Sequence, residues 1–154
     1  EDPLKPSYEC KGSWELRVKL GHLFETDLVR VKFDLESTPA FSTTEAADSI
    51  EQAIIQAASD LLQITRDDID IVHLASSAKH VEFAVVDAVP AGAGFAPMVG
   101  SRLQDVIEHA LRIVERCNCG DETSCYQCLR TYSNQRIHEN LRRDLAIAGL
   151  SALV

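Results

Sequence analysis

Four of the five cysteines in this chain fall in one stretch, CNCGDETSCYQC, from Cys117 to Cys128. No other feature limits the fold so strongly. Cys117-x-Cys119 and Cys125-x-x-Cys128 are two short-spaced pairs across a polar loop. Tetrahedral zinc takes four soft ligands at about 2.3 Å, and such pairs supply them with little chain to order. Two disulfides are the competing arrangement. A Cys-x-Cys bridge closes a strained ring, because bridged Cα atoms prefer separations of about 4.4–6.8 Å. Bridges across the loop escape that strain but need an oxidising compartment. A redox Cys-x-x-Cys or an iron–sulfur cluster is a third arrangement, here without a thioredoxin-type setting upstream. The spacing favours zinc, and four protein ligands leave no position for water, so the ion would be structural.

Four thiolates outweigh the charge of one Zn²⁺, so N–H donors and nearby cations must offset the surplus. Arg116 and Arg130 flank the cluster. The segment after Cys125 predicts a helix start, whose amides favour negative charge. Cys10 is left over and reads as a free, partly buried thiol.

At 154 residues, 45% hydrophobic and 25% charged, the chain suits one domain over 1–154. No apolar run reaches the ~20 residues of a membrane span. The start, EDPLKPSYECKGSW, lacks the basic-then-apolar layout of a secretory leader, so a cytoplasmic protein without membrane contact is expected. That start also lacks a methionine and reads as the interior of a longer protein, with 1–13 a linker or incomplete edge. The formal net charge of −9 should repel nucleic acid from most of the surface. Carboxylates concentrate between Asp48 and Asp70, whereas 130–143 holds Arg130, Arg136, Arg142 and Arg143 against Glu139 alone. Contact with phosphate is therefore expected from the C-terminal third, a solvated helix face being the plainer reading.

Hydrophobic periodicity supplies the elements. WELRVKL alternates, with Leu16, Val18 and Leu20 on one face; LVRVKF repeats this with Val29, Val31 and Phe33. Ser42-x-x-Glu45 has capping-box spacing, and opens a helix with Ile50, Ala53, Ile54, Ala57 and Leu61 at a 3.6 period. IDIVHLA (69–75) predicts a third strand. VEFAVVDAV (81–89) predicts a fourth, central because both faces are apolar. PAGAGFAP follows as a loop, then a second long helix with Leu103, Val106, Ile107, Ala110, Leu111 and Val114 on one stripe. Short helices follow the cysteines, with Leu141 and Leu145 one turn apart. This order predicts an α+β (mixed α/β) fold: a small, mostly antiparallel sheet packed with two long helices, then the Cys₄ loop and short C-terminal helices.

Other constellations are weak. Gly92-Ala93-Gly94 follows a strand, but the third position of G-x-G-x-x-G falls on Pro97, which suits a first helical turn better than a dinucleotide site. Histidines 22, 73, 80, 109 and 138 are dispersed. His73 reads as a core or edge residue, and His138, near Arg136 and Arg142, as a candidate phosphate contact. Asp67 and Asp68 read as a helix start before Ile69. No catalytic constellation and no small-molecule substrate is evident.

The ordered set VVDAVPAGAGF, helix, C-x-C, C-x-x-C-L-R-T-Y-S-N-Q and HENLRR resembles the MrfA-type zinc-binding (MZB) domain, strongly over Val81–Leu145. LGHLFETDLVRVKF resembles that family's opening strands with their Thr-Asp. The family occurs at the C-terminus of superfamily 2 DEAD/DEAH-box helicases, including DNA-repair and phage-defence proteins. The resemblance implies that Cys117, Cys119, Cys125 and Cys128 ligate zinc, and it singles out Asp87, Gly92, Gly94, Arg130, Tyr132, Asn134 and Gln135 as motif positions. Ala91 departs from the family, which often has glycine there, and so argues against a left-handed backbone at that position. No G-x-x-x-x-G-K-[ST] occurs in the chain.

The resemblance implies an accessory domain rather than an enzyme, working with helicase motor domains of the same polypeptide and supporting DNA or RNA engagement. Nucleic-acid-facing or cluster-supporting candidates are Arg116, Arg130, Arg136, His138, Arg142 and Arg143. Asp87 and its loop are expected to organise a surface toward the motor. The alternative is a protein–protein interaction module that docks a partner subunit without touching nucleic acid.

Overall fold

The computed structural model describes residues 21, 23–34, 43–76 and 80–154. The predicted strand over 14–20, together with Cys10, His22 and Ser42, lies outside these residues. The described elements are β1 (Leu28–Asp34), α1 (Thr44–Leu62), β2 (Ile69–Ser76), β3 (His80–Asp87), α2 (Phe95–Ser101), α3 (Leu103–Arg116), a 3₁₀ turn (Gln135–Ile137) and α4 (Arg143–Ser151).

The three strands form one antiparallel sheet in the order β1-β3-β2. The doubly apolar strand is central, as its composition predicts. Val81, Phe83 and Val85 are buried opposite Phe33, Val31 and Val29 of β1. On its other face Glu82 and Ala84 are also buried, and Arg30 pairs with Glu82. In β2 the register shifts between His73 and Ala75. His73 is an exposed edge residue whose Nδ1 lies 3.2 Å from Glu51 of α1.

Helix α1 buries Ile50, Ala53, Ile54 and Ala57, the 3.6-period stripe, and packs on α3, α4 and β2. Its N-cap is Thr43 rather than Ser42: the Thr43 hydroxyl accepts the Ala46 N–H at 3.2 Å. It ends at Gln63, which is left-handed at φ 57, with the Ile64 N–H closing on Ser59 O at 3.1 Å. Asp67 and Asp68 start no helix. Asp68 closes a turn by accepting both the N–H and the hydroxyl of Thr65, as aspartate does wherever its short side chain can satisfy nearby amides.

The glycine segment is not loop throughout. Helix α2 begins within it at Phe95, with left-handed Gly94 as N-cap and Pro97 in the first turn, where a missing N–H costs nothing. Arg102 then breaks the chain direction at φ −121, and α3 carries the predicted stripe with Val106, Ile107, Ala110 and Val114 buried. In α4 the buried face is Arg143, Ala146, Gly149 and Leu150. Leu141 is buried ahead of the helix and Leu145 is only half-buried. One apolar cluster joins the sheet, α1, α3 and α4, and extends to Cys128 and Leu129. No helix among the described residues is long and apolar enough to cross a membrane.

Candidate metal centre

The cluster begins where α3 stops. Cys117 is extended (ψ 136) as the C-cap of that helix. Gly120, at φ 97, turns the chain, and Cys125 to Leu129 wrap into a tight turn. Here the predicted helix is replaced by a knuckle: Cys125 O accepts the N–H groups of Cys128, Leu129 and Arg130 at 3.1, 3.1 and 3.0 Å. The amides still serve the sulfurs. The Cys125 N–H donates to Cys128 Sγ at 3.2 Å and the Gln127 N–H to Cys125 Sγ at 3.4 Å.

All four Sγ atoms lie within 4.8 Å of one another. Cys117–Cys125 is 3.5 Å, and Cys119–Cys128 and Cys125–Cys128 are each 3.8 Å. A tetrahedron with arms of about 2.3 Å has edges of about 3.8 Å, so the set fits a Cys₄ zinc centre. It does not fit bridges, which bring sulfurs to about 2.05 Å. Burial pushes the Cys128 and Cys119 thiols up from their ordinary value. At Cys125 burial opposes ionisation as well, but the Gln127 amide and the neighbouring thiols outweigh it and the thiol titrates lower. Four thiolates can share so sheltered a space only around a cation.

Around the cluster the basic residues divide. Arg143 is 9% exposed and turns inward: Nε donates to Gly120 O at 2.9 Å, Nη1 to Val114 O at 3.2 Å, and the guanidinium pairs with Asp121. Arg130 donates from Nε to Ser124 Oγ at 2.9 Å, while its carbonyl accepts Arg66 Nη1 at 3.1 Å. Arg142 is paired by Asp144 at 2.6 Å and Glu122 at 3.7 Å. Arg116 and Arg136 are exposed and make no side-chain ion pair or hydrogen bond among the described residues. His138 Nε2 is 2.9 Å from both Thr131 O and Asn134 Oδ1. Both partners accept, so that nitrogen carries the proton.

Asn134 ties the tail to the core. Its Oδ1 also accepts the Thr131 N–H at 2.8 Å, and its Nδ2 donates to Gln52 Oε1 at 2.7 Å and Leu129 O at 2.9 Å. Gln135 is exposed, and Tyr126 and Tyr132 are 59% and 84% exposed. The Tyr126 ring meets His138 edge-on at 5.6 Å. Sequence reasoning gave no role to Arg66, Gln52, Ser124 or Asp121. Each is an ordinary polar residue, and for Arg66, Gln52 and Asp121 the partner is remote in the chain, where periodicity carries no signal.

The second candidate feature lies at the end of β3. Asp87 is fully buried, and its carboxylate accepts the N–H groups of Ala93 (2.6 Å), Phe95 (3.1 Å) and Ala96 (2.6 Å). Burial alone would raise its pKa, but these amides together hold it below the usual carboxylate range. Gly92, at φ 72, sits where a Cβ would lie 2.2 Å from Asp27 Oδ2; that oxygen accepts the Gly94 N–H at 3.2 Å. The Thr26 hydroxyl is shared between Asp87 O (2.8 Å) and Val89 O (2.9 Å). The loop amides are thus spent on the protein's own carboxylates and, for Ala91 and Gly92, on the carbonyls of Glu25 and Val89, so these amides form no phosphate cradle. Ala91 is left-handed at φ 68 despite its side chain. The expectation drawn from its departure fails there, because its N–H is fixed on Glu25 O at 2.8 Å.

A small antiparallel sheet packed with helices, with four cysteine sulfurs at tetrahedral spacing directly after α3, defines an α+β domain with a zinc-type knuckle. The chain belongs to the MrfA Zn-binding domain family, whose profile matches residues 50–129. It is 28% identical over 157 residues to the Druantia protein DruE of Escherichia coli (strain UMEA 4076-1), a match covering 92% of this chain. The chain spans 8% of the length of that curated relative. Its fold resembles that of the DUF1998 helicase MrfA crystallised bound to DNA, with a TM-score of 0.56 at 19% identity over 77% of this chain and 15% of that one. MrfA bound to DNA and AMPPNP gives 0.51 at 20% identity, over 72% and 15%.

Proposed function

We propose that residues 1–154 form a structural zinc domain of a DEAD/DEAH-box helicase-like polypeptide, with Cys117, Cys119, Cys125 and Cys128 as the ligands. The observation that carries the reading is the convergence of four sulfurs at tetrahedral spacing, in a member of a zinc-binding family. Zinc, when bound, would supply bonds that replace apolar core in a loop too polar to bury one. The chain's own residues do the rest. The Cys125 and Gln127 amides orient the second pair of sulfurs, Asn134 ties the tail to α1, and Arg130 braces Ser124. The role is mechanical, with ATP-driven work assigned to motor domains elsewhere in the parent protein.

The knuckle presents Arg116, Arg136, Tyr126 and Tyr132 to solvent. Cations beside exposed aromatic rings suit a nucleic-acid strand, through phosphate contact and base stacking. The DNA-bound state of MrfA supports DNA as the strand. The net charge of −9 favours a second reading, a docking module for a basic partner subunit. The test is elemental analysis of the purified chain followed by binding to a single-stranded oligonucleotide over a salt series. One zinc per chain and affinity falling steeply with salt are expected. No metal with alkylatable thiols would reject the zinc reading, and salt-independent or absent binding would reject the nucleic-acid role.

A further inference from the structure

The structure assigns Arg143 to the metal loop as its positioning residue, an inference that rests on the zinc reading above. We propose that its guanidinium holds the chain on both sides of the first cysteine pair and thereby slows loss of the ion. The span between the two pairs, Gly120-Asp121-Glu122-Thr123-Ser124, has no large apolar side chain to anchor it. Arg143 supplies the anchor. Val114 O lies before Cys117 and Gly120 O directly after Cys119, and one guanidinium donates to both, at 3.2 and 2.9 Å. Asp121 pairs with the same group. The backbone repeats the grip, with the Arg143 N–H on Thr123 O at 2.9 Å and the Asp144 N–H on Asp121 O at 3.0 Å. Four positions of the metal loop and of the last turn of α3 thus converge on the start of α4.

Arginine suits this place because its donors form a rigid planar fork, whereas lysine is a flexible point charge. Its neighbours do not share the role. Arg142 is occupied by Asp144 and Glu122, and Arg130 serves the second pair through Ser124. Partners that orient a metal's ligands change affinity by about 10–100-fold when removed.

The test uses the zinc-loaded chain and follows transfer of zinc to the chromogenic chelator 4-(2-pyridylazo)resorcinol. Arg143→Gln should release zinc about 10–100-fold faster than wild type. Arg143→Lys should restore only part of the difference, and Arg112→Gln, on the exposed side of α3, should leave the rate unchanged. Amide hydrogen exchange should rise at Gly120–Thr123 and not in α1 or β3, a pattern that general loss of stability would not give. If Arg143→Gln does not fold, Asp121→Asn carries the test, since Asp121 is exposed and its loss leaves the core intact; a few-fold faster release is expected. Release within twofold of wild type in the folded variants, with zinc bound, overturns the role of Arg143 alone. A wild-type chain that takes up no zinc overturns this inference together with the reading beneath it.

Discussion

Two loops in this molecule solve the same problem by different means. The loop after β3 and the loop after α3 both pack backbone amides close together at the end of a regular element, and both need a negatively charged group to receive them. After β3 that group is the Asp87 carboxylate, covalently part of the chain and supplied with three amides. After α3 the acceptors are cysteine sulfurs, which hold negative charge in such a sheltered place only when a cation is among them. The first loop is complete once the chain folds. The second is complete only with an addition from outside, so chelation should undo the second and spare the first, whereas acid should weaken both.

The largest effect is expected from Cys128→Ala, which removes the one fully buried ligand. Zinc contributes about 10–16 kcal/mol in small structural sites, against about 5–15 kcal/mol for a whole domain. The variant should lose its metal and the ordered structure beyond α3, measured by elemental analysis and heteronuclear NMR. A metal-free variant with an ordered tail would break the comparison.

Asp87→Ala comes next, with an expected cost of about 2–4 kcal/mol in urea unfolding as several buried donors lose their acceptor, and with zinc content unchanged. The pH dependence follows from the same geometry. Asp87 titrates lower folded than unfolded, so its contribution is present above the unfolded carboxylate value and fades as pH falls through the lower folded value. Unfolding curves from neutral to acid pH should therefore be flatter in Asp87→Ala than in wild type. Equal slopes would remove the carboxylate from the account.

Smaller effects sharpen the picture within the first loop. Gly92→Ala should cost about 1–3 kcal/mol, because a side chain there is both left-handed and pressed against Asp27, down to its backbone N at 2.9 Å. Ala91→Gly should do the opposite and stabilise by about 1 kcal/mol, because Ala91 already holds a left-handed φ of 68. Thermal melts of the two variants should move in opposite directions from wild type.

Periodicity made the layers legible. Alternation over Val29–Phe33, the 3.6 stripe of α1 and the doubly apolar β3 each carry their own burial pattern, and all three stand in the fold. The cysteine spacing was legible for the same reason: two short pairs need little chain to meet. What composition could not separate was an arginine that faces water from one that faces a carbonyl. Arg136 and Arg143 look alike in sequence, yet one is exposed and the other is held by Val114 and Gly120. The breaks were hidden too. Nothing periodic distinguishes Arg102 as the junction of two helices, or Cys125–Leu129 as a turn rather than a first helical turn.

The position of β3 between the other two strands has a consequence for any shortened form of the chain. Among the described residues β1 and β2 never pair with each other, so every ladder in the sheet passes through residues 80–87. A fragment that stops before residue 80 would carry two orphan ribbons with open edges, the kind of template on which chains stick to one another. Truncations that aim to keep the sheet must therefore run past Asp87, and those that cut the sheet away also strip α3 and α4 of α1, on which both pack.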